Sequence, residues 1–435
     1  MLIGWLGLAI LIVLLLARVP VALATGAVAA LGVLAAEFAL GAGPWESGQA
    51  MLAMLQQVLH VDAVAMVVLF LLLGNLAFYA GISTRIYDAA AVWLQRVPGG
   101  MAIAAIMGCG GFAAISGSSV ACASTMGRIC VPEMLKQGYG ARLATSAVAV
   151  GGTLGSLIPP SVLFIIFGLL SDTSVAHLFI AGILPGLLSL AGMVGVVIWW
   201  VAEDRGVAPA ASDTRASRRE ASMALWPPVI LLAIIVGGIA SGWATPGMAA
   251  ALCVLVTLVI GFLQGRLNVE NLWQVLRQSA VQSLSVLALI AAARIFMGFL
   301  DLTGVGQVLA DAARSAGLPM LTVLAIAAIV YLLMGMVIEP LGILVLTVPI
   351  MLPLTQAYGL DLIWFGVLVV KLLEIALITP PVGLNVFVIG SVTRNIGMDR
   401  IFAGVARFLM VDLLVLLVLI LFPAVSLWLP GLMAR

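Results

Sequence analysis

Gly151-Gly152-Thr153-Leu154-Gly155-Ser156-Leu157-Ile158-Pro159-Pro160-Ser161 sits in the middle of the apolar segment 143–171, and Thr379-Pro380-Pro381-Val382-Gly383-Leu384-Asn385 interrupts a second one, 362–393. Each segment is long enough to cross a bilayer, which takes about 20 mostly apolar residues at 1.5 Å of rise apiece. Proline removes an amide donor and clashes with the preceding turn, and glycine permits unwound backbone, so both crossings read as discontinuous helices. In lipid each freed carbonyl is costly unless something satisfies it, and a sodium ion is a natural partner. The half-helix amino termini that such breaks create offer free amides and the positive end of a dipole, which suits a carboxylate.

Other apolar stretches place crossings near 2–17, 20–41, 61–81, 176–202, 225–241, 246–264, 279–300 and 403–429. They are expected to be helical, because open sheet edges cannot face lipid. Composition agrees: the chain is 64% hydrophobic and 9% charged, where a soluble domain carries roughly 25% charged residues. Nineteen basic and eighteen acidic residues nearly cancel, without a polybasic run, so no nucleic-acid partner is expected. The four cysteines lack CxxC spacing and the two histidines, His60 and His177, are isolated, so neither a disulfide framework nor a transition-metal site is indicated. The apolar start, Leu2 to Leu16, has no basic residues before it and no cleavage signal after it, and reads as a retained helix.

Basic residues sort to one side of this arrangement, as they do on cytoplasmic loops. Arg18, Arg85, Arg96, Arg128, Lys136, Arg142, Arg205, Arg215, Arg218, Arg219, Arg266, Arg277, Arg394 and Arg400 share that side, while loops 41–49, 171–177, 241–247 and 357–361 carry no Lys or Arg. The sorting works only if the stretches 99–127 and 319–356 are re-entrant hairpins, the first entered from the cytoplasm and the second from the periplasm. A polar central loop, 203–223, separates a first half, 1–202, from a second, 224–435. Gly117 and Glu339, at the two hairpin tips, are 222 positions apart, and Pro159 and Pro380 are 221 apart. The expected fold is therefore an all-α polytopic membrane protein made of two inverted repeats, each with a re-entrant hairpin and a discontinuous helix. Secondary transporters use this construction to expose one central site to each face in turn.

Arg294, Lys371, Glu374 and Glu339 fall in or beside apolar spans, where each charge needs a partner or water. Lys371 and Glu374, three apart on one helix, can pair with each other. Arg294 has no near partner and could meet a substrate carboxylate or a carboxylate on another helix. Asp62, Asp172 and His177 lie at span ends and are read as solvated. No nucleophile with a neighbouring base, HExxH, GxSxG or nucleotide-binding loop appears, so neither an enzyme nor an ATP-driven pump is indicated.

The hairpin Gly117-Ser118-Ser119-Val120-Ala121, the run Gly152-Thr153-Leu154-Gly155 with Ile158-Pro159-Pro160-Ser161, Met334-Gly335-Met336 followed by Pro349 and Pro353, Thr379-Pro380-Pro381-Val382-Gly383, and the closing Leu427-Trp428-Leu429-Pro430 form a specific set. Over nearly its whole length the chain resembles the large permease subunit of tripartite ATP-independent periplasmic (TRAP) transporters. The resemblance implies a scaffold with a mobile, elevator-type transport domain in the bacterial inner membrane. It implies sodium-coupled uptake of a small organic acid, such as a C4-dicarboxylate or sialic acid, with sodium as coupling ion and no cofactor. The implied partners are a small four-helix membrane subunit and a periplasmic solute-binding protein, which selects the acid. A stand-alone cation-coupled symporter or antiporter of organic anions, with the same inverted-repeat fold, is the alternative. Carried onto matching positions, the resemblance implies cation sites at Gly117, Ser118, Ser119, Gly152, Thr153, Gly155 and Pro159, and at Gly335, Thr379, Pro380, Pro381 and Gly383. Substrate is expected between them, at Ser118, Ser161, Glu339, Asn385 and Arg294. The chain departs from the family pattern at Glu339, where an aspartate is common, and at Thr245-Pro246-Gly247-Met248, where a glutamate is lost. It departs again at Ala65 to Phe70, which lack the usual Pro-Leu-Phe.

Overall fold

The computed structural model describes residues 1–57, 60–209, 217–393 and 396–433; Arg215, Arg394 and part of the central loop lie outside the described residues. Among the described residues the chain is helical, with no strand, and nine helices are long and apolar enough to cross a membrane.

Helices Leu2–Leu16, Val21–Ala39, Val61–Tyr79, Val175–Glu203, Pro246–Leu263, Val269–Thr303 and Met398–Leu421 occupy expected crossings. The one expected at 225–241 is built from Trp226–Leu232, a π-helical turn Ala233–Gly237, and Gly238–Ala240. Two limits differ from expectation for local reasons. Helix Val269–Thr303 has 35 residues and is about 52 Å long, because Asn268 caps its start by accepting from the Asn271 amide and so extends it ahead of residue 279. The segment 403–429 is divided at Phe422-Pro423 into Met398–Leu421 and Ala424–Gly431, since Pro423 brings no amide and restricts the residue before it.

Four helices lie in stretches the sequence marks as connections: Pro44–Gln56, Ile82–Leu94, Arg218–Met223 and Val305–Ser315. The first starts on a proline whose preceding Gly43 amide donates to the Glu46 carboxylate. Ile82–Leu94 and Val305–Ser315 begin at Gly81 and Gly304, both in left-handed backbone.

The first broken crossing is Ala141–Leu157 followed by Val162–Ser171; the second is Leu362–Ala376 followed by Leu384–Val392. The glycine-rich run Gly151 to Leu157 is helical, so the first discontinuity is narrower than the sequence suggests and is confined to residues 158–161. The Pro159-Pro160 and Pro380-Pro381 bonds are both cis. Ahead of each broken helix stands a helical pair: Gly100–Ser116 with Ser119–Lys136, and Met320–Gly335 with Pro340–Ala357.

These elements recur in order. Gly100 and Met320, Ser119 and Pro340, Ala141 and Leu362, and Val162 and Leu384 open matching helices at offsets of 220 to 222. The packing is exchanged between halves: Ser119–Lys136 lies against Leu384–Val392, and Pro340–Ala357 lies against Val162–Ser171. Each half thus supplies a wall to the other's break.

Candidate functional site

The tip of the first helical pair is fixed against the first break. Gly117 has φ +62°, and a Cβ there would stand 2.7 Å from the Pro160 carbonyl oxygen, so only glycine fits on both counts. The Gly117 carbonyl accepts from the Val162 amide at 3.3 Å. Two residues on from Gly117, the buried Ser119 hydroxyl donates to the Thr153 carbonyl at 3.2 Å and shares a 2.5 Å hydrogen bond with Ser156. The Thr153 hydroxyl in turn donates to the Val150 carbonyl at 2.7 Å. Gly152 and Gly155 let this happen: a Cβ on Gly152 would meet Ala123 at 2.9 Å, and one on Gly155 would meet the Ser118 backbone at 3.0 Å. Backbone oxygens and hydroxyls are thereby gathered at one point with no charged group among them.

Four helices begin around this centre. Ser118 caps Ser119–Lys136 by accepting from the Ala121 amide at 3.4 Å, and Ser161 caps Val162–Ser171 by accepting from the Phe164 amide at 3.4 Å. Glu339 and Gly383 occupy the corresponding positions before Pro340–Ala357 and Leu384–Val392 without a side-chain cap. Free amides at helix starts favour negative charge.

At the second break, Thr379 donates to the Ile375 carbonyl at 2.6 Å, and the Asn385 amide closes the loop onto the Leu377 carbonyl at 3.0 Å. Gly383 holds φ +57° there, while Pro380 and Pro381 are exposed. Gly335, at the end of its helix, lies so close to Ala376 that any added Cβ would collide with it. The second tip therefore also ends against a break. Asn385 is fully buried, and its side-chain amide donates to the Ala149 carbonyl at 3.2 Å, tying the second break to the first broken helix. Its Oδ1 has no hydrogen-bond partner among the described residues.

A cavity of about 1830 Å³ opens between these breaks. Gly117, Ser118, Ser119 and Ser156 line it from the first half, and Glu339, Leu377, Val382 and Leu384 from the second. Its far wall comes from helices Val61–Tyr79 and Val269–Thr303, tied together by Asn75 donating to Ser279 at 2.9 Å and to Gln282 at 3.0 Å, and by Tyr79 bonding Gln274 and Gln278.

Among the residues expected at the site, Gly117, Ser118, Ser119 and Glu339 line this cavity. Ser161 and Asn385 are buried beside it and serve as cap and cross-tie. Arg294 is placed elsewhere. It is 8% exposed, and its guanidinium donates to the Leu169 carbonyl at 3.0 Å and to Asp172 at 2.7 Å, at the end of Val162–Ser171. Of its two possible partners, the carboxylate on another segment is the one it meets, and Asp172 is paired as well as exposed.

Arg18, Arg128 and Arg266 also line the cavity, although in the sequence they mark only the cytoplasmic side; Arg128 lies nearest in sequence to the first tip. With Ser124 and Thr125 it sits on the face of Ser119–Lys136 that lines the cavity. The spacing carries a signal: Ala121, Ser124 and Arg128 are three and four apart and so share one helical face. Lys371 and Glu374 do pair, at 3.2 Å, but Lys371 also reaches Asp412 at 2.6 Å, a residue absent from the sequence reading. Among the described residues, no group of three or more His, Cys, Asp or Glu side chains could hold a metal ion.

Residues 8–425 match the family described as Tripartite ATP-independent periplasmic transporter, DctM component. The C4-dicarboxylate TRAP transporter large permease protein of Pseudomonas aeruginosa is 34% identical over 367 residues, covering 83% of this chain and 84% of that protein. The sialic acid TRAP transporter large permease protein of Vibrio cholerae is 30% identical, with 83% and 85% coverage. The solved structure of the Alcanivorax borkumensis YdaH transporter aligns with a TM-score of 0.60 over 86% of this chain and 87% of its own, at 14% identity, a likeness of fold alone.

Proposed function

This chain belongs to the DctM family, the large permease component of tripartite ATP-independent periplasmic transporters, and on that premise we propose that it carries a small organic acid across the bacterial inner membrane in symport with sodium. The observation that carries the proposal is one cavity lined by both helical tips, by Ser156 and Val162 on either side of the first break, and by Leu377 and Val382 at the second. The first cation site comprises Ser119, Thr153 and Ser156 with the backbone of Gly117, Ser118, Gly152, Gly155 and Pro159; the second comprises Thr379 with the backbone of Gly335, Pro380, Pro381 and Gly383. Sodium suits them because their donors are neutral oxygens, with no soft sulfur or imidazole ligand.

The acid occupies the cavity between the two. Helix starts at Ser118 and Glu339 present amides to its carboxylate, and Arg128, on the same wall, supplies the charge that Arg294 does not. The two halves work as inverted repeats, with the helical pairs re-entering from opposite faces. The tips support this, since each ends against the middle of a crossing instead of beyond it. An elevator movement is supported by the cavity's position between the broken helices and the polar wall of Val61–Tyr79 and Val269–Thr303.

The relatives' names specify C4-dicarboxylate and sialic acid as cargoes of their own systems. For this chain the acid is delivered by a periplasmic binding protein, and a small four-helix membrane subunit completes the assembly. Counterflow of radiolabelled C4-dicarboxylate and sialic acid in proteoliposomes of the reconstituted assembly, with sodium exchanged for potassium, tests the proposal. Uptake of either acid that survives removal of sodium contradicts it.

A further inference from the structure

Away from the cavity, helices Leu362–Ala376, Val175–Glu203 and Met398–Leu421 bury a polar cluster among themselves. Lys371 is 0% exposed, Ser189 0%, and Glu374 and Asp412 1% each. The Lys371 ammonium has three donors, and each has an acceptor: Asp412 at 2.6 Å, Ser189 at 3.0 Å and Glu374 at 3.2 Å. Its hydrogen bonding is complete, yet the charges do not balance. One cation faces two carboxyls, and with both ionised the cluster would hold a net negative charge shielded from water, the arrangement that buried sites avoid.

The charges that bear on Glu374 are those of Lys371 and Asp412. The other helices packed against Leu362–Ala376 bring no compensating charge to the cluster. Ala141–Leu157 carries Arg142 at its far end, Val175–Glu203 carries His177 and Glu203 at its ends, and Glu203 is paired with Arg407. Asp399 and Arg400 lie in the first turn of Met398–Leu421, Glu339 precedes Pro340–Ala357, Met320–Gly335 contributes the neutral Tyr331, and Val162–Ser171 and Ala424–Gly431 contribute no ionisable group.

We propose that a proton balances the cluster, held on Glu374, so that Lys371 and Asp412 form the ion pair and Glu374 is a neutral carboxylic acid. The contacts separate the two carboxyls. Asp412 makes the short, charge-assisted bond to the ammonium, whereas Glu374 makes the longer one through Oε2. Glu374 Oε1 makes no hydrogen bond among the described residues although it is buried. An ionised oxygen stranded there would lose its hydration with nothing in exchange, and protonation removes that cost. The backbone of Leu157 lies beside this carboxyl, and Leu157 is the last residue of its helix. Binding consists of one proton from solvent adding to the carboxylate, with no other bond made or broken.

The position gives the proton a bearing on the rest of the molecule. Glu374 holds in the second half the register of Thr153 in the first, 221 positions earlier. It adjoins the residue that precedes the first break, so gain or loss of its charge acts on the joint between the two broken helices.

Proton occupancy at Glu374 is independent of which solute or ion the chain moves, so the test needs no transport. Infrared spectra of the purified full-length chain at neutral pH are compared between wild type and variants, in the carbonyl-stretch region of protonated carboxylic acids. Glu374→Gln is expected to remove a band equivalent to one acid per chain. Asp412→Asn, which leaves Glu374 as the sole counter-ion of Lys371, is expected to remove the same band, and Lys371→Met to add a second. A spectrum unchanged by Glu374→Gln, or a band that survives Asp412→Asn, overturns the assignment.

Discussion

Replacing Gly117 by alanine is the sharpest small perturbation of the candidate site. The residue sits at φ +62°, and an added Cβ would lie 2.7 Å from the Pro160 carbonyl oxygen, about 0.7 Å inside ordinary contact at 3.4 Å. Left-handed backbone costs an L-residue about 1–2 kcal/mol, and forcing a methyl into a packed interface adds about 1–3 kcal/mol. Both penalties apply only while the tip is docked on the break, so the docked state weakens by about 2–5 kcal/mol, or roughly 30-fold at the lower bound. If docking assembles the first cation site, the sodium concentration for half-maximal uptake in proteoliposomes should rise by roughly tenfold or more. Gly138→Ala is the control: its φ is +88°, but nothing lies within 4 Å of its Cβ position, so it carries the backbone penalty in a loop remote from the site. Unchanged sodium dependence in Gly117→Ala, with normal insertion and folding, would refute the reasoning.

Other residues give independent checks. Ser118→Ala and Thr379→Ala should each raise the sodium requirement while leaving membrane insertion intact, read by uptake against sodium concentration; unaltered curves in both would remove the two-site assignment. Arg128→Gln should raise the half-saturating acid concentration by about tenfold, the loss expected when a charged hydrogen bond of roughly 1.5 kcal/mol is removed, with sodium dependence nearly unchanged. Arg294→Met should do the opposite. It leaves acid affinity in place and lowers the midpoint of thermal unfolding, because it frees the Leu169 carbonyl and Asp172.

Much of the fold could be read from the chain because membrane physics restricts the choices. Pro159-Pro160 and Pro380-Pro381 marked the breaks, since no helix passes through such a pair undisturbed. The glycines beside them misled: Gly152 and Gly155 looked like part of an unwound segment, yet they lie in a regular helix, where they allow a second backbone to approach. Packing, and not chain flexibility, explains their presence. Ile82–Leu94 and Val305–Ser315 were missed because their charged residues read as loop, whereas each has an apolar face turned to the bundle. The polar partnerships were the least visible. Arg294 and Asp172 are 122 positions apart, and Lys371 and Asp412 are 41 apart, so only tertiary structure brings them together.

Uptake of the organic acid by proteoliposomes holding this chain, assayed with and without the four-helix subunit and the binding protein and under an imposed sodium gradient, tests the central claim most directly. Accumulation is expected only when all three proteins and the inward sodium gradient are present. Accumulation by this chain alone, undiminished without either partner, would contradict it.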